Sequence, residues 1–159
     1  MPHIRRATEA DAAIIASQRV KMFQDNGLVP VGTWEQLERD SLEWTARKLR
    51  DGSYVGWLAE DAGGASGERA RVIGGAGVWF MEWPPHWMHP EPMRGYLLNV
   101  YVAPEARRRG LARELVLLAT DECKRRGLHL AVLHASQMGQ PIYEELGWES
   151  SNEMVLKLK

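Results

Sequence analysis

The chain has 159 residues, of which 45% are hydrophobic and 26% charged, and its formal net charge is −1. That is enough apolar material for one domain spanning 1–159, and with so even a balance nothing global points to nucleic acid or to an anionic membrane, so neither is an expected partner. The single cysteine, Cys123, excludes an internal disulfide and a thiolate metal site, and the opening "MPHIRRATEADAA" has no apolar signal stretch, so a cytoplasmic protein without metal is expected.

"HIRRA", 3–7, reads as a first strand. Thr8 then sits in an N-cap position with Asp11 three residues on, and Ala12, Ile15, Val20 and Phe23 follow at roughly helical spacing. "NGLVPVG" breaks that helix. A second helix starts near Thr33, with Gln36 as its capping-box partner, and stops at "RDGS". "YVGWLAE" and "RVIGGAGVWFMEW" form a strand pair, joined by the Gly- and charge-rich loop 60–70. Four prolines keep "WPPHWMHPEP" out of regular structure. "GYLLNVYVAP" is a strand ended by Pro104, 110–126 an amphipathic helix closed by Gly127, and "LHLAVLHA" a strand. "QPIYEELG" is a short helix, and "EMVLKLK" a last strand whose edge could pair with a second copy, so a homodimer is an expectation. The order β α α β β β α β α β is α/β without strict alternation: a hairpin first, then one crossover helix between two parallel strands.

The unusual feature is "ARRRGLAREL", 106–115, three arginines running into a glycine where a strand gives way to a helix. From Arg107 to Arg126 there are seven arginines and lysines against three acids, so any anion site is local. Helix starts leave N–H groups without internal partners, at the positive end of the dipole, and suit a phosphate or pyrophosphate. Gly110 lets an anion approach the backbone, Ala112 keeps the next exposed position small, and Leu111 between them points to the core. The arginines add charge and forked donors at the rim. There is no G-x-x-x-x-G-K-[ST], and "GGAG" at 74–77 opens no helix, so neither a P-loop nor a dinucleotide fingerprint is present.

Together these residues resemble the GNAT superfamily of N-acetyltransferases, whose Arg/Gln-x-x-Gly-x-Gly/Ala turn reads here Arg107-Arg108-Arg109-Gly110-Leu111-Ala112. The "NVYVAP" strand end and "PIYEELGW", 141–148, match further family motifs in order. The resemblance covers about residues 72–158 well and the first 60 more loosely. It implies a single-domain GNAT-like α/β fold, with a mixed central sheet of about six to seven strands, two helices before the β-hairpin, a crossover helix and a short C-terminal helix. It also implies acetyl-CoA as co-substrate and a primary amine, of a small molecule or a peptide, as acceptor. Backbone N–H groups from Arg108 to Arg113 would hold the pyrophosphate. A bulge near Asn99 and Val100 would free groups of Val100, Tyr101 and Val102 for the pantetheine arm, with the Val100 N–H as oxyanion donor. Tyr143 matches the family tyrosine beside the thioester sulfur, a proton donor to the leaving thiolate. Ser136 stands where the family often has Asn and could bond the pantetheine or a water. Gly139 keeps the following helix start open.

For the base, Glu82 at the end of "VWFMEW" could act through water; it reads equally as an exposed strand-end carboxylate. His86, His89 and His134 have suitable unperturbed pKa values, with surface or structural roles as the competing reading. Met22, Phe23, Trp34, Trp83 and Trp87 are candidate walls of an acceptor pocket, where aromatic faces beside Glu82 would suit a cationic amine. A second class of function also fits the motifs: a CoA-binding sensor that keeps the cleft without turnover. A nucleic-acid role for the arginine run explains less, because one pyrophosphate accounts for its glycine-helix setting.

Overall fold

A computed structural model describes residues 2–61 and 70–158. Most of the predicted loop 60–70 therefore lies outside the described residues. The elements are β1 (His3–Arg6), α1 (Ala12–Asp25), α2 (Trp34–Arg50), β2 (Tyr54–Glu60), β3 (Val72–Glu82), β4 (Met93–Val102), α3 (Leu111–Arg125), β5 (Ala131–Leu133) and α4 (Gln140–Glu145), with one-turn 3-10 helices at Glu9–Asp11 and Pro104–Ala106. They form a five-stranded sheet in the order β1-β2-β3-β4-β5, antiparallel except for the parallel β4–β5 pair.

Local chemistry accounts for the helix starts. The Asp11 carboxylate accepts the Thr8 N–H at 2.7 Å and the paired guanidinium nitrogens of Arg5 at 2.8 and 2.9 Å, tying the first helical turn to β1. Thr33 Oγ1 accepts the Gln36 N–H at 3.1 Å, but the Gln36 side chain turns to Asp40 and Arg39, so only half of the predicted capping box forms. Along α3, Leu111, Leu115, Val116, Ala119 and Cys123 are buried against β3 and β4, with Leu118 only half-buried. Glu122 is buried on the same face because Arg125 and Arg126 close over it. Cys123 packs where β4 offers Gly95: a side chain there would meet its Sγ at 2.8 Å. Burial pushes its thiol up to about 11, in keeping with a small core residue and not a nucleophile.

The sheet has five strands, against the six to seven expected. The missing strand is "EMVLKLK": residues 151–158 take no regular structure, and Met154, Leu156 and Leu158 are each more than four-fifths exposed. A strand needs a ladder partner and a face to bury. The neighbouring edge, β5, offers only three residues in place of the eight expected from "LHLAVLHA". No helix of the described residues is long and apolar enough to cross a membrane.

Two irregularities position the site. β4 pairs with β5 only from Gly95 to Leu97, then runs on to Val102 alone on that side, so the sheet splits. Two residues further on, β4 bulges: Gly77 faces Leu98 and Gly75 faces Tyr101, leaving Ala76 opposite both Asn99 and Val100. Asn99 takes a left-handed conformation, φ 58°.

Candidate active site

The split opens into a cavity of about 650 Å³, floored by β4 from Tyr96 to Val102 and bounded by α1, the start of α3 and α4. At one end lies the arginine-glycine turn. Arg108 and Gly110 both have positive φ, 58° and 79°, and Gly110 caps α3. None of the N–H groups from Arg108 to Arg113 donates to an acceptor among the described residues; the first α3 bond is Glu114 N–H to the Gly110 carbonyl. Six adjacent donors at a helix start, beside the exposed Arg108 and Arg113, are an arrangement that can hold a polyanion.

The three arginines separate by role. Arg107 is occupied: its Nε donates to the Val102 carbonyl at 2.9 Å and its other end pairs with Asp25 of α1. Arg108 lines the cavity. Arg109 lies on the far side, lining a smaller cavity with Pro2, Asp61 and Ile73. Of the bases from 107 to 126, Arg107 pairs with Asp25, Lys124 with Asp121, and Arg125 and Arg126 share Glu122. The positive excess is local to the turn.

At the other end, Val100, Tyr101, Ser136, Gly139 and Tyr143 come together on the cavity wall. Ser136 Oγ accepts the Gly139 N–H at 3.1 Å and so starts the turn into α4; its hydroxyl proton is left to donate. Gly139 leaves little room beside it, since a Cβ there would lie 3.1 Å from the Tyr143 ring. The ring packs edge-on to Trp148 at 6.1 Å, which accounts for the Gly-Trp that follows α4. Burial pushes the Tyr143 hydroxyl up to about 12.

Other candidates lie elsewhere. Glu82 is exposed at the end of β3, opposite Met93, and is not among the residues lining this cavity. Met22 and Phe23 line it; Trp34, Trp83 and Trp87 do not. The Trp83 ring is already covered by the Arg94 guanidinium at 3.6 Å, and Trp87 is 87% exposed. His86 and His89 stack on each other at 4.7 Å, and His89 is buried, contrary to the surface role expected of it.

The sequence reading missed Arg19, Tyr54 and Tyr96, which join the already named Asn99 and His134 around the bulge. Arg19 of α1 reaches across the cavity, and its Nη1 donates to Asn99 Oδ1 at 2.8 Å. Asn99 Nδ2 in turn donates to Tyr54 Oη at 3.1 Å, and Tyr54 is wholly buried over Gly77. Tyr96 hydrogen-bonds His134 through its hydroxyl and the ring Nδ1, and both line the cavity. Arg19 left one trace in the sequence: it stands three and four residues after Ala16 and Ile15, on the buried stripe of α1, where a charge is out of place. The other contacts span 38 to 80 residues and had no local signal.

Residues 19–148 match the model of the acetyltransferase (GNAT) family. The structure is similar to a GCN5-related N-acetyltransferase from Ralstonia eutropha JMP134, with 36% identity, 99% of each chain covered and a TM-score of 0.87. It is also similar to a predicted acetyltransferase with acetyl-CoA from Clostridium acetobutylicum, at 27% identity, 100% and 96% covered, TM-score 0.86. An aminoglycoside N-acetyltransferase in complex with CoA shares the fold at 16% identity, 100% and 95% covered, TM-score 0.71. No curated protein sequence matches the chain.

Proposed function

The chain belongs to the GNAT acetyltransferase family, and from that premise we propose that it is a single-domain enzyme, 1–159, transferring an acetyl group from acetyl-CoA to a primary amine by direct attack in a ternary complex. The observation that carries this reading is one cavity with two chemically distinct ends: six unpaired N–H groups at the α3 start, and a bulged strand facing a protonated tyrosine.

Acetyl-CoA supplies the acyl group already activated as a thioester. The α3 start holds the pyrophosphate through the backbone from Arg108 to Arg113, with Arg108 and Arg113 adding charge. Leu111 and Ala112 keep that surface small and apolar behind the donors, and Arg107 braces β4 against α1 so that the turn holds its shape. The pantetheine arm lies along Val100, Tyr101 and Val102, toward Ser136 and Gly139.

The acceptor nitrogen then bonds to the thioester carbon. The Val100 N–H, turned by the bulge, stabilises the charge developing on the carbonyl oxygen. As the C–S bond breaks, Tyr143 gives its proton to the sulfur and regains one from solvent. Before the attack the acceptor ammonium gives one proton to a base, which frees the nitrogen lone pair, and the second proton leaves the nitrogen for solvent as the amide forms. The Tyr96–His134 pair on the cavity wall is closer to the base's task than Glu82, which could serve only through a chain of waters. No residue need form a covalent acyl-enzyme.

A CoA-release assay against amino acids, peptides, polyamines and aminoglycosides tests the reading, alongside calorimetric titration with acetyl-CoA. Gly110→Glu puts a carboxylate into the cradle and should abolish CoA binding, whereas Arg109→Ala should change it less than about threefold. Binding that survives Gly110→Glu, or a wild type that binds CoA and releases none with any amine, defeats the proposal.

A further inference from the structure

The charges of the cavity are unevenly matched, and the mismatch bears on what the acceptor is. Its lining acids are Asp25 and Glu145; Asp25 is engaged by Arg107, and Glu145 is exposed on α4. The cations at the α3 start face the pyrophosphate. Arg19 is left. It makes no ion pair among the described residues. Burial is the main influence on its charge and opposes it, and the ionisable groups that act on it are Tyr54 and Tyr96, not carboxylates. Its side chain lies over the Phe23 ring at 4.8 Å, which fixes the guanidinium in place. Nη1 is spent on Asn99, while Nε and Nη2 have no acceptor among the described residues and are not sealed off by them. One edge of the guanidinium fork is therefore free, in a wall of the cavity.

Position separates this cation from the phosphate cradle. Arg19 meets β4 at Asn99, the bulge residue, whereas the arginine turn begins beyond Val102, three residues and roughly 10 Å further along the strand. A guanidinium held one hydrogen bond from the bulge adjoins the place of acyl transfer, not the place of cofactor docking. A half-buried cation without a counter-charge is costly unless a ligand completes it. The remaining Nε/Nη2 edge has the geometry for bidentate binding of an oxyanion.

The geometry points to an acceptor that carries an oxyanion close to its amine, a free amino acid bound through its carboxylate, with Arg19 as the specificity-determining residue. This rests on the acetyltransferase reading above and narrows it: polyamines and aminoglycosides, which bring only positive charge to Arg19, are disfavoured. Met22, Phe23 and Leu28 offer apolar surface for the rest of the acceptor.

The test compares each amino acid with its own carboxamide, and glycine with O-phosphoethanolamine, by kcat/KM for CoA release. The acid-to-amide ratio is the readout because it cancels any loss that a change at Arg19 inflicts on both through Asn99. Wild type should favour acids by ~10- to 100-fold, the worth of one charge-assisted pair. Arg19→Gln should bring the ratio near one, and Arg19→Lys should keep part of it, with the acetyl-CoA KM unchanged in both. A preference for O-phosphoethanolamine over glycine would replace the carboxylate by a phosphate on the same edge and overturn the amino-acid assignment. A wild-type ratio of one or less, or one that Arg19→Gln leaves intact, overturns the inference while leaving acetyl transfer standing. If CoA binds but no amine is acetylated, acetyl transfer fails, and the inference is then decided by calorimetry of glycine and glutamate against the CoA-loaded protein. Binding lost in Arg19→Gln upholds the anion site; no binding to wild type refutes it.

Discussion

Burial holds the Tyr143 proton firmly: with its pKa pushed up to about 12, the hydroxyl stays protonated across the range in which an ordinary tyrosine, near 10, begins to ionise. A donor is thus present throughout neutral and mildly alkaline conditions. Tyr143→Phe should lower kcat by ~10²- to 10³-fold while CoA affinity, measured by calorimetry, stays within a factor of about three. An unchanged kcat removes Tyr143 from the acid role. The same shift predicts that kcat in the wild type does not decline between pH 8 and 10 through loss of this proton; a limb at pH 9–10 that vanishes in the phenylalanine variant would contradict it. Arg107, Arg108 and Arg109 are adjacent in sequence and different in position. A positive φ at Arg108 turns the chain between them, and spacing along the sequence gives no sign of that turn.

At the scale of the element, α1 begins as it does because Asp11 ties three things together: the Thr8 N–H, the Arg5 guanidinium and the first helical turn. The Arg5 hydrogen bonds, outweighing the cost of burial, bring the Asp11 carboxyl from 3.8 to about 2. A depressed carboxylate stabilises the fold above its unfolded value and ceases to as pH falls through its folded one. The ~2 kcal/mol implied is present above about pH 4 and fades between there and pH 2. Asp11→Asn should therefore unfold earlier in urea at pH 7, with the gap to wild type narrowing by pH 2; a gap that stays constant with pH rules out the charge as its source. The helices, the hairpin and the phosphate turn were legible because each has a local cause: a cap, an alternation, a glycine at a helix start. The short β5 and the half-formed cap at Thr33 were not, because strand length depends on what pairs across it and Gln36 had better partners in Asp40 and Arg39.

At the scale of the molecule, the C-terminal residues 151–158 form no strand, and Met154, Val155, Leu156 and Leu158 are all exposed, while β5 is an edge of only three residues. Such a segment suits pairing with a second copy, and we propose it as the contact of a homodimer. Deleting 152–159 should abolish self-association in sedimentation runs while shifting the melting temperature of dilute protein by less than about 2 °C, because little is buried within one chain. A dimer that survives the deletion uses another surface. The aromatic loop 83–92 shows the opposite failure of sequence reasoning. Its tryptophans suggested a cationic acceptor site, yet the cation over Trp83 is the protein's own Arg94. Composition records which groups are available, and only the fold records which are already taken.

The Tyr54–Asn99–Arg19 hydrogen-bond chain has a consequence for how the cleft loosens. The bulge at Asn99 and Val100 is held by residues of α1 and β2, 80 and 45 positions away, whereas the start of α3 is tied to α1 through a different contact, the Arg107–Asp25 pair. The two ends of the cleft therefore rest on separate contacts, so that one can loosen while the other holds. Tyr54→Phe, which leaves the buried Asn99 amide short of an acceptor, should speed amide hydrogen exchange at 99–101 and leave α3 protected. Equal loosening of both would mean that the two ends of the cleft rise and fall as one unit.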